Sequence, residues 1–351
     1  MLLGVGYYVY RRAPSFEQYL LAGRMMTTPI LICTLASTYY GLDILFGSSE
    51  IAFNDGIVAY IGYALMMLGI YLFAAISLSK RPPQANFTSL PEILERSYGR
   101  STAVFGAIGS LLYALPSTSL FALGRISEVV FGVDARVGAL ALGGIALSYT
   151  LMGGLMAVTH ALPIGLTGLF LAGVLAMAMS TMDSYTLVAG ANLSYDLYRP
   201  LMKPNATDRE MVRATKIGVI ISWILGYAIA FAFDRIMALL VFVVTILTST
   251  VLVPIMISMF YKGRKTSMAG LSSCAGGLIS VLVFYFGLAQ IGVYNEVYGT
   301  FIWSFTFASE SFSIWREYAL FYCLPISLVG FLVGNRFGPT FIDPARKQGT
   351  S

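Results

Sequence analysis

The chain has 351 residues, a mean hydropathy of +0.77, 57% hydrophobic residues and 11% charged ones, against about 25% charged in soluble domains; this excludes a soluble enzyme and implies a polytopic membrane protein. The net charge of +5 fits cytoplasmic loops, not nucleic acid. A single histidine, His160, and three isolated cysteines, Cys33, Cys274 and Cys323, give no histidine metal cluster and no disulfide framework, and no catalytic residue or cofactor is expected.

Met1 to Tyr10 is apolar but short, since a span needs about twenty residues. It also lacks the basic start and cleavage site of a signal peptide. Thr27 to Phe53 reads as a span interrupted by Ser37, Thr38, Gly41 and Asp43. Polar residues and glycine in mid-span suit a broken helix whose freed carbonyls face a cavity. Gly56 to Ser79 is a plain span, and Lys80 to Arg100 a polar loop. Ala103 to Gly132 spans with a kink at Pro116. Val137 to Val158 spans next, and His160 falls in a loop after it.

Pro163 to Pro200 is the most informative stretch. It is apolar enough to cross a bilayer, yet Ser180, Thr181, Asp183 and Ser184 interrupt its middle. On a helix, Gly168, Ala172, Ala176 and Ser180 form a stripe of small residues that lets another helix approach closely. Ser180 and Thr181 follow Met177 by three and four residues, so both hydroxyls rise beside the Met177 carbonyl. Three neutral oxygens at one depth suit a small dehydrated cation. Ser and Thr in membrane helices also bond back to the carbonyl one turn earlier, so the hydroxyl pair alone leaves both readings open. Asp183 adds weight, because an intramembrane carboxylate is costly and usually functional.

Leu201 to Lys216 reads as a basic loop, followed by spans at Ile217 to Phe233, Met237 to Phe260, Met268 to Gln290 and Tyr318 to Val333. Val293 to Glu317 is aromatic and polar, as at a membrane interface. In total about eight full spans and one partial one are expected.

Several motifs carry a family resemblance. The runs A-G-x-L-A-x-A-M-S-T-x-D-S and NLSYDLYRP within 163–200 closely resemble the eighth core helix of the sodium:solute symporter family. Tyr149 to Val158 resembles the family's YT-x-x-GGL-x-AV signature, Thr88 to Arg100 its intracellular loop, and Leu21 to Arg24 the end of its first inside loop. The resemblance implies an all-α membrane bundle of the LeuT-type inverted-repeat fold, here incomplete. It implies a coupling sodium held by the Ser180 and Thr181 hydroxyls with the carbonyls of Met177, Ser37 and Tyr40. Asp43 and Ile44 fall where relatives contact substrate, and with Asp183 are the substrate or coupling candidates. The expected partners are a bilayer, the cell (inner) membrane crossed in multiple passes, and a small solute: a sugar, amino acid, carboxylate or vitamin.

One departure follows from the same comparison. After Val158 the family continues through three more core helices, whereas this chain moves through Thr159 and His160 to Pro163. The charges agree with a discontinuity. Arg96 and Arg100 mark the inside, and two crossings later Val158 is inside again. Arg199, Lys203, Arg209, Arg213 and Lys216 also belong inside, so the Pro163 span starts outside. The few residues between cannot cross a ~30 Å core. Residues 1–161 therefore read as a first-repeat part and 162–351 as a second part. The expected function is sodium-coupled symport, impaired in this shortened chain. The alternative is a degenerate or mis-joined remnant that does not transport. An intramembrane enzyme has no support, for want of a nucleophile with a histidine base or a nucleotide loop.

Overall fold

The structure is a computed structural model. It describes residues 41–54, isolated positions from 56 to 72, 89–165, 170–233, 235–261, 263–287, 291–295, 300–307 and 310–339. Helices dominate. Five of them, Arg100–Phe131, Asp208–Ala230, Ile236–Phe260, Ser267–Gly287 and Ala319–Phe337, are long and apolar enough to cross a membrane. The helical membrane bundle expected from composition is thus the observed architecture.

Helix α1 is Leu42–Asn54. Helix α2, Leu90–Tyr98, occupies what the sequence presented as a polar loop. The Ser89 side chain accepts from the Glu92 N–H, Pro91 sits in the first turn, and Gly99 at φ +95° ends the helix. Helices α3 (Arg100–Tyr113) and α4 (Ser117–Phe131) are parted at Pro116, the expected kink.

Helix α5, Ala135–Gly165, departs from expectation. It passes through Thr159 and His160 to Gly165, so the backbone at His160 is helical and not a loop. An apolar run with no strong breaker before Pro163 continues a helix already begun. Helix α6 is Phe170–Ala191, prolonged by a π-helical segment Asn192–Tyr198.

Helix α7 starts at Asp208, where Thr207 and Glu210 form a capping box, so the expected basic loop is shorter than Leu201 to Lys216. Helices α8 (Ile236–Leu247) and α9 (Val253–Phe260) are joined by a π-helical turn Thr248–Leu252. Helix α10, Ser267–Leu282, ends in a second such turn, Val283–Gly287. The aromatic segment after it is a three-stranded antiparallel sheet of β1 (Val293–Asn295), β2 (Thr300–Phe307) and β3 (Glu310–Trp315). Alternation such as Trp303-Ser304-Phe305-Thr306-Phe307 has the period of a strand. Helix α11 is Ala319–Phe337.

Hydrogen bonds sort the helix ends into two groups. The Tyr98 hydroxyl donates to the Pro254 carbonyl at 2.9 Å, Thr102 to Ser267 at 3.3 Å and Thr266 to Gly334 at 3.0 Å. The Arg264 guanidinium donates to the Gly338 carbonyl. These contacts place Arg100, Arg264, Lys265 and Arg336 at one end. At the other, Arg235 before α8 pairs with Glu50 of α1 at 2.7 Å. There also Tyr227, near the end of α7, donates to the Arg136 carbonyl in the first turn of α5 at 3.3 Å.

Helix α5 thus begins at the end away from the basic residues. Helix α6 leads into the 199–208 loop before α7, at the basic end. Together α5 and α6 run from the end away from the basic residues to the basic end.

Candidate functional site

Helix α6 carries most of the candidate residues. Its first residues are apolar in sequence, and of the polar positions that follow, Thr181 and Asp183 are buried and Ser184 is half-buried. Thr181 and Asp183 are 0% and 1% exposed. Met177 and Ser180 lie on the same helix by their backbone, so the one-turn spacing from the Met177 carbonyl to the two hydroxyl positions holds. Ser37 and Tyr40 lie outside the described residues. Asp43 and Ile44 are in α1, Ile44 half-buried, and of Asp43 the backbone alone is described. Helix α1 packs against α6, which brings the helix that follows Tyr40 to the helix that carries Thr181.

Asp183 has a partner that sequence reasoning missed. Its Oδ1 lies 2.5 Å from the Thr150 hydroxyl of α5. That hydroxyl also lies 3.0 Å from the Ala146 carbonyl. A hydroxyl has one hydrogen and two lone pairs. Thr150 therefore either donates to a carboxylate, or donates to Ala146 while receiving the proton of a carboxylic acid. The other oxygen, Oδ2, is buried and meets no hydrogen-bond partner among the described residues. No Lys or Arg pairs with Asp183 among them either. A buried acid with one open oxygen and no counter-charge can take up a proton or a small cation.

Further along, α6 and its π-helical extension touch α3, α7 and the cap of α2 through polar pairs. Tyr113 and Tyr185 meet at 3.3 Å, the Asn192 amide donates to Ser110 at 3.0 Å, and Ser194 meets Thr215 at 2.7 Å. Ser89 donates to Asp196 at 2.6 Å. Burial pushes the Asp196 carboxyl up to about 7; the Ser89 hydrogen bond pulls it down, and Glu92 and Glu95 push it further up. Thr150 and Ser89 sit in motifs that carry the family resemblance, but nothing in the sequence pairs them with Asp183 and Asp196. No group of three His, Cys, Asp or Glu that could hold a metal occurs among the described residues.

At the end away from the basic loops a cavity of about 310 Å³ opens between α1, α4 and α8. Phe46, Glu50, Phe121, Arg125 and Arg235 line it. Together with buried polar groups midway through an apolar helix bundle, it fits a polytopic membrane protein.

The chain belongs to the sodium:solute symporter family: the family model matches residues 19–161 and again 158–277. The two matched stretches meet at residues 158–161, beside the expected discontinuity. Over 156 residues the chain is 28% identical to the high-affinity choline transporter 1 of Caenorhabditis elegans, covering 41% of this chain and 25% of that protein. Over 167 residues it is 24% identical to the high-affinity proline transporter PutP of Bacillus subtilis, covering 45% and 35%. The matches thus span about a quarter to a third of these curated relatives. A solved structure of a Na+-coupled sialic acid symporter superposes with a TM-score of 0.62 at 13% identity, over 97% of this chain and 96% of that one. The fold is accordingly the LeuT-type bundle of that symporter, and the family is one of transporters and not of enzymes.

Proposed function

We propose that this chain carries the machinery of sodium-coupled solute symport in a cell (inner) membrane. The sodium site is built from the Met177, Ser37 and Tyr40 carbonyls with the Ser180 and Thr181 hydroxyls. Asp43 and Ile44 face the solute, and Asp183 serves substrate binding or coupling. The solute is a small organic molecule: a sugar, amino acid, carboxylate or vitamin. Residues 1–161 and 162–351 act as the first-repeat and second parts. The observation that carries this reading is the burial of Thr181 and Asp183 in the middle of an apolar helix, on the motif that resembles the family's sodium helix. The relatives named for choline and proline transport, and the structure named for sialic acid, support a small solute as cargo.

A second reading is favoured by one observation. The family model aligns in two stretches that meet at 158–161, and α5 and α6 share one net crossing. Alternating access needs two repeats rocking about a common site. A chain that departs from the family at this point binds sodium without moving solute.

Binding and transport are separable by experiment. Sodium binding to the purified chain is measured with radiolabelled sodium, and uptake in liposomes with an imposed sodium gradient and labelled choline, proline, sugars and carboxylates. Saturable sodium binding that falls at least about tenfold in affinity in Thr181→Ala, where one liganding hydroxyl is lost, supports the site. Sodium-driven uptake of any one solute selects symport over the second reading. A chain that binds no sodium refutes both.

A further inference from the structure

Arg316 lies away from the polar positions of α6. It opens a 3-10 turn, Arg316–Tyr318, between β3 and α11, at the end of the bundle away from the basic loops. It is 9% exposed. Three aromatic rings from three different elements surround its guanidinium. The centroids lie at 5.4 Å for Phe233 beyond α7, 5.9 Å for Tyr285 in the turn after α10, and 5.3 Å for Phe301 of β2. Among the described residues no carboxylate pairs with Arg316, and its Nε is buried without a hydrogen-bond partner.

This arrangement satisfies half of what a guanidinium needs. The ring faces attract the cation, by about 2 kcal/mol when the pair is desolvated. Rings do not accept the N–H groups that lie in the guanidinium plane, and Arg has five of these in a fixed fork. A buried positive charge whose Nε–H is left open is costly. A group that is small, negative and able to accept N–H bonds from the guanidinium edge meets both needs. The aromatic walls exclude a strongly hydrated polyanion.

We propose that Arg316 and its ring of Phe233, Tyr285 and Phe301 form a binding site for a small monovalent anion, a halide or a carboxylate. The anion ties the sheet to the ends of α7 and α10 and to the start of α11. The proposal does not depend on whether the chain transports.

The test uses the full chain in detergent at constant sodium, with gluconate replaced stepwise by chloride in one arm and by formate in another, read as melting temperature. The expected result is a saturable rise of roughly 5 °C at concentrations far above the midpoint. The arm with the lower midpoint identifies halide or carboxylate as the natural occupant. Arg316→Met places an apolar side chain of similar length in the aromatic ring and should abolish the dependence. Arg316→Lys keeps the charge without the fork and should raise the midpoint at least about tenfold; it also serves as the test should Arg316→Met fail to fold. No saturable rise in either arm for the wild-type chain overturns the proposal, as does an unchanged midpoint in Arg316→Lys.

Discussion

Two helix pairs in this bundle bury polar groups, and they do so differently. In the α10–α11 pair the facing serines are neutral and satisfied. Ser273 and Ser327 meet at 3.0 Å, Ser327 also lies 3.1 Å from the Ser273 carbonyl, and Ser272 donates to the Gly330 carbonyl at 2.6 Å. Small residues let the backbones close in: a Cβ on Gly330 would stand 2.6 Å from the Ser272 carbonyl oxygen. In the α5–α6 pair the buried group is an acid with one oxygen bonded and one open. Away from water, a fully satisfied hydroxyl holds helices together, whereas an acid left open fits the substrate-binding or coupling role proposed for Asp183. The contrast separates structure from chemistry within a single apolar core.

The largest effect is expected in the satisfied pair. In Gly334→Leu the new side chain starts where a Cβ already meets the Met268 carbonyl at 2.5 Å and the Ala269 Cα at 2.8 Å. These are backbone atoms and cannot rotate away. A loss of about 3 kcal/mol or more should appear as aggregation on size-exclusion chromatography or a melting temperature lowered by several degrees. A monodisperse protein of unchanged melting temperature would mean that α10 and α11 are not this close.

The open pair should respond less in stability. Thr150→Val takes from Asp183 the one partner described for it, at a cost of about 1–3 kcal/mol. Adding Asp183→Leu should restore most of that loss, because an apolar pair leaves nothing unsatisfied. Ser273→Ala with Ser327→Ala, in contrast, should be nearly neutral as a double variant without any rescue step. If Thr150→Val and Asp183→Leu are additive in thermal melts, the two side chains are not coupled and the contrast fails.

Parts of this contrast were legible in the sequence. Thr181 and Asp183 break an apolar run, and a break in such a run needs no partner to be seen. The partners were hidden, because Thr150 is 33 residues from Asp183 and Ser89 is 107 from Asp196. Residue periodicity reports which face is buried, not which helix covers it. Helix α2 left a local signal in Ser89, Pro91 and Glu92, and α7 another in Thr207 and Glu210, but both sit in charged surroundings that read as loop. The sheet was also written in plain alternation at Trp303 to Phe307, where aromatic content suggested a membrane interface instead. That the helix begun at Ala135 continues through His160 to Gly165 left no signal in the sequence.

The smallest effect concerns the far end of α6, where the same helix buries a second acid outside the apolar core. Asp196 lies in the π-helical segment beyond Ala191, before the polar 199–208 loop, and is 8% exposed. Burial is the main reason its carboxyl rises from 3.8 to about 7; Glu92 and Glu95 of α2 add to the rise, and the Ser89 hydroxyl opposes it. Arg199 is nearby on the same chain segment but stacks on the Tyr195 ring. The folded state therefore holds the Asp196 proton more tightly than the unfolded chain does. Between about pH 4 and pH 7 the unfolded chain binds fewer protons, so stability declines as pH rises. The contribution is complete below the unfolded value and lost as pH passes the folded one. Thermal melts should thus show a fall of roughly 2–5 °C between pH 5 and pH 8, and Asp196→Asn, which cannot ionise, should flatten it. Ser89→Ala should shift the midpoint upward, because it removes the one hydrogen bond that favours the carboxylate, and should also lower stability at every pH through loss of the α2 cap. A pH slope unchanged by Asp196→Asn would show that this acid does not titrate there, and that the end of α6 differs from its middle in position alone.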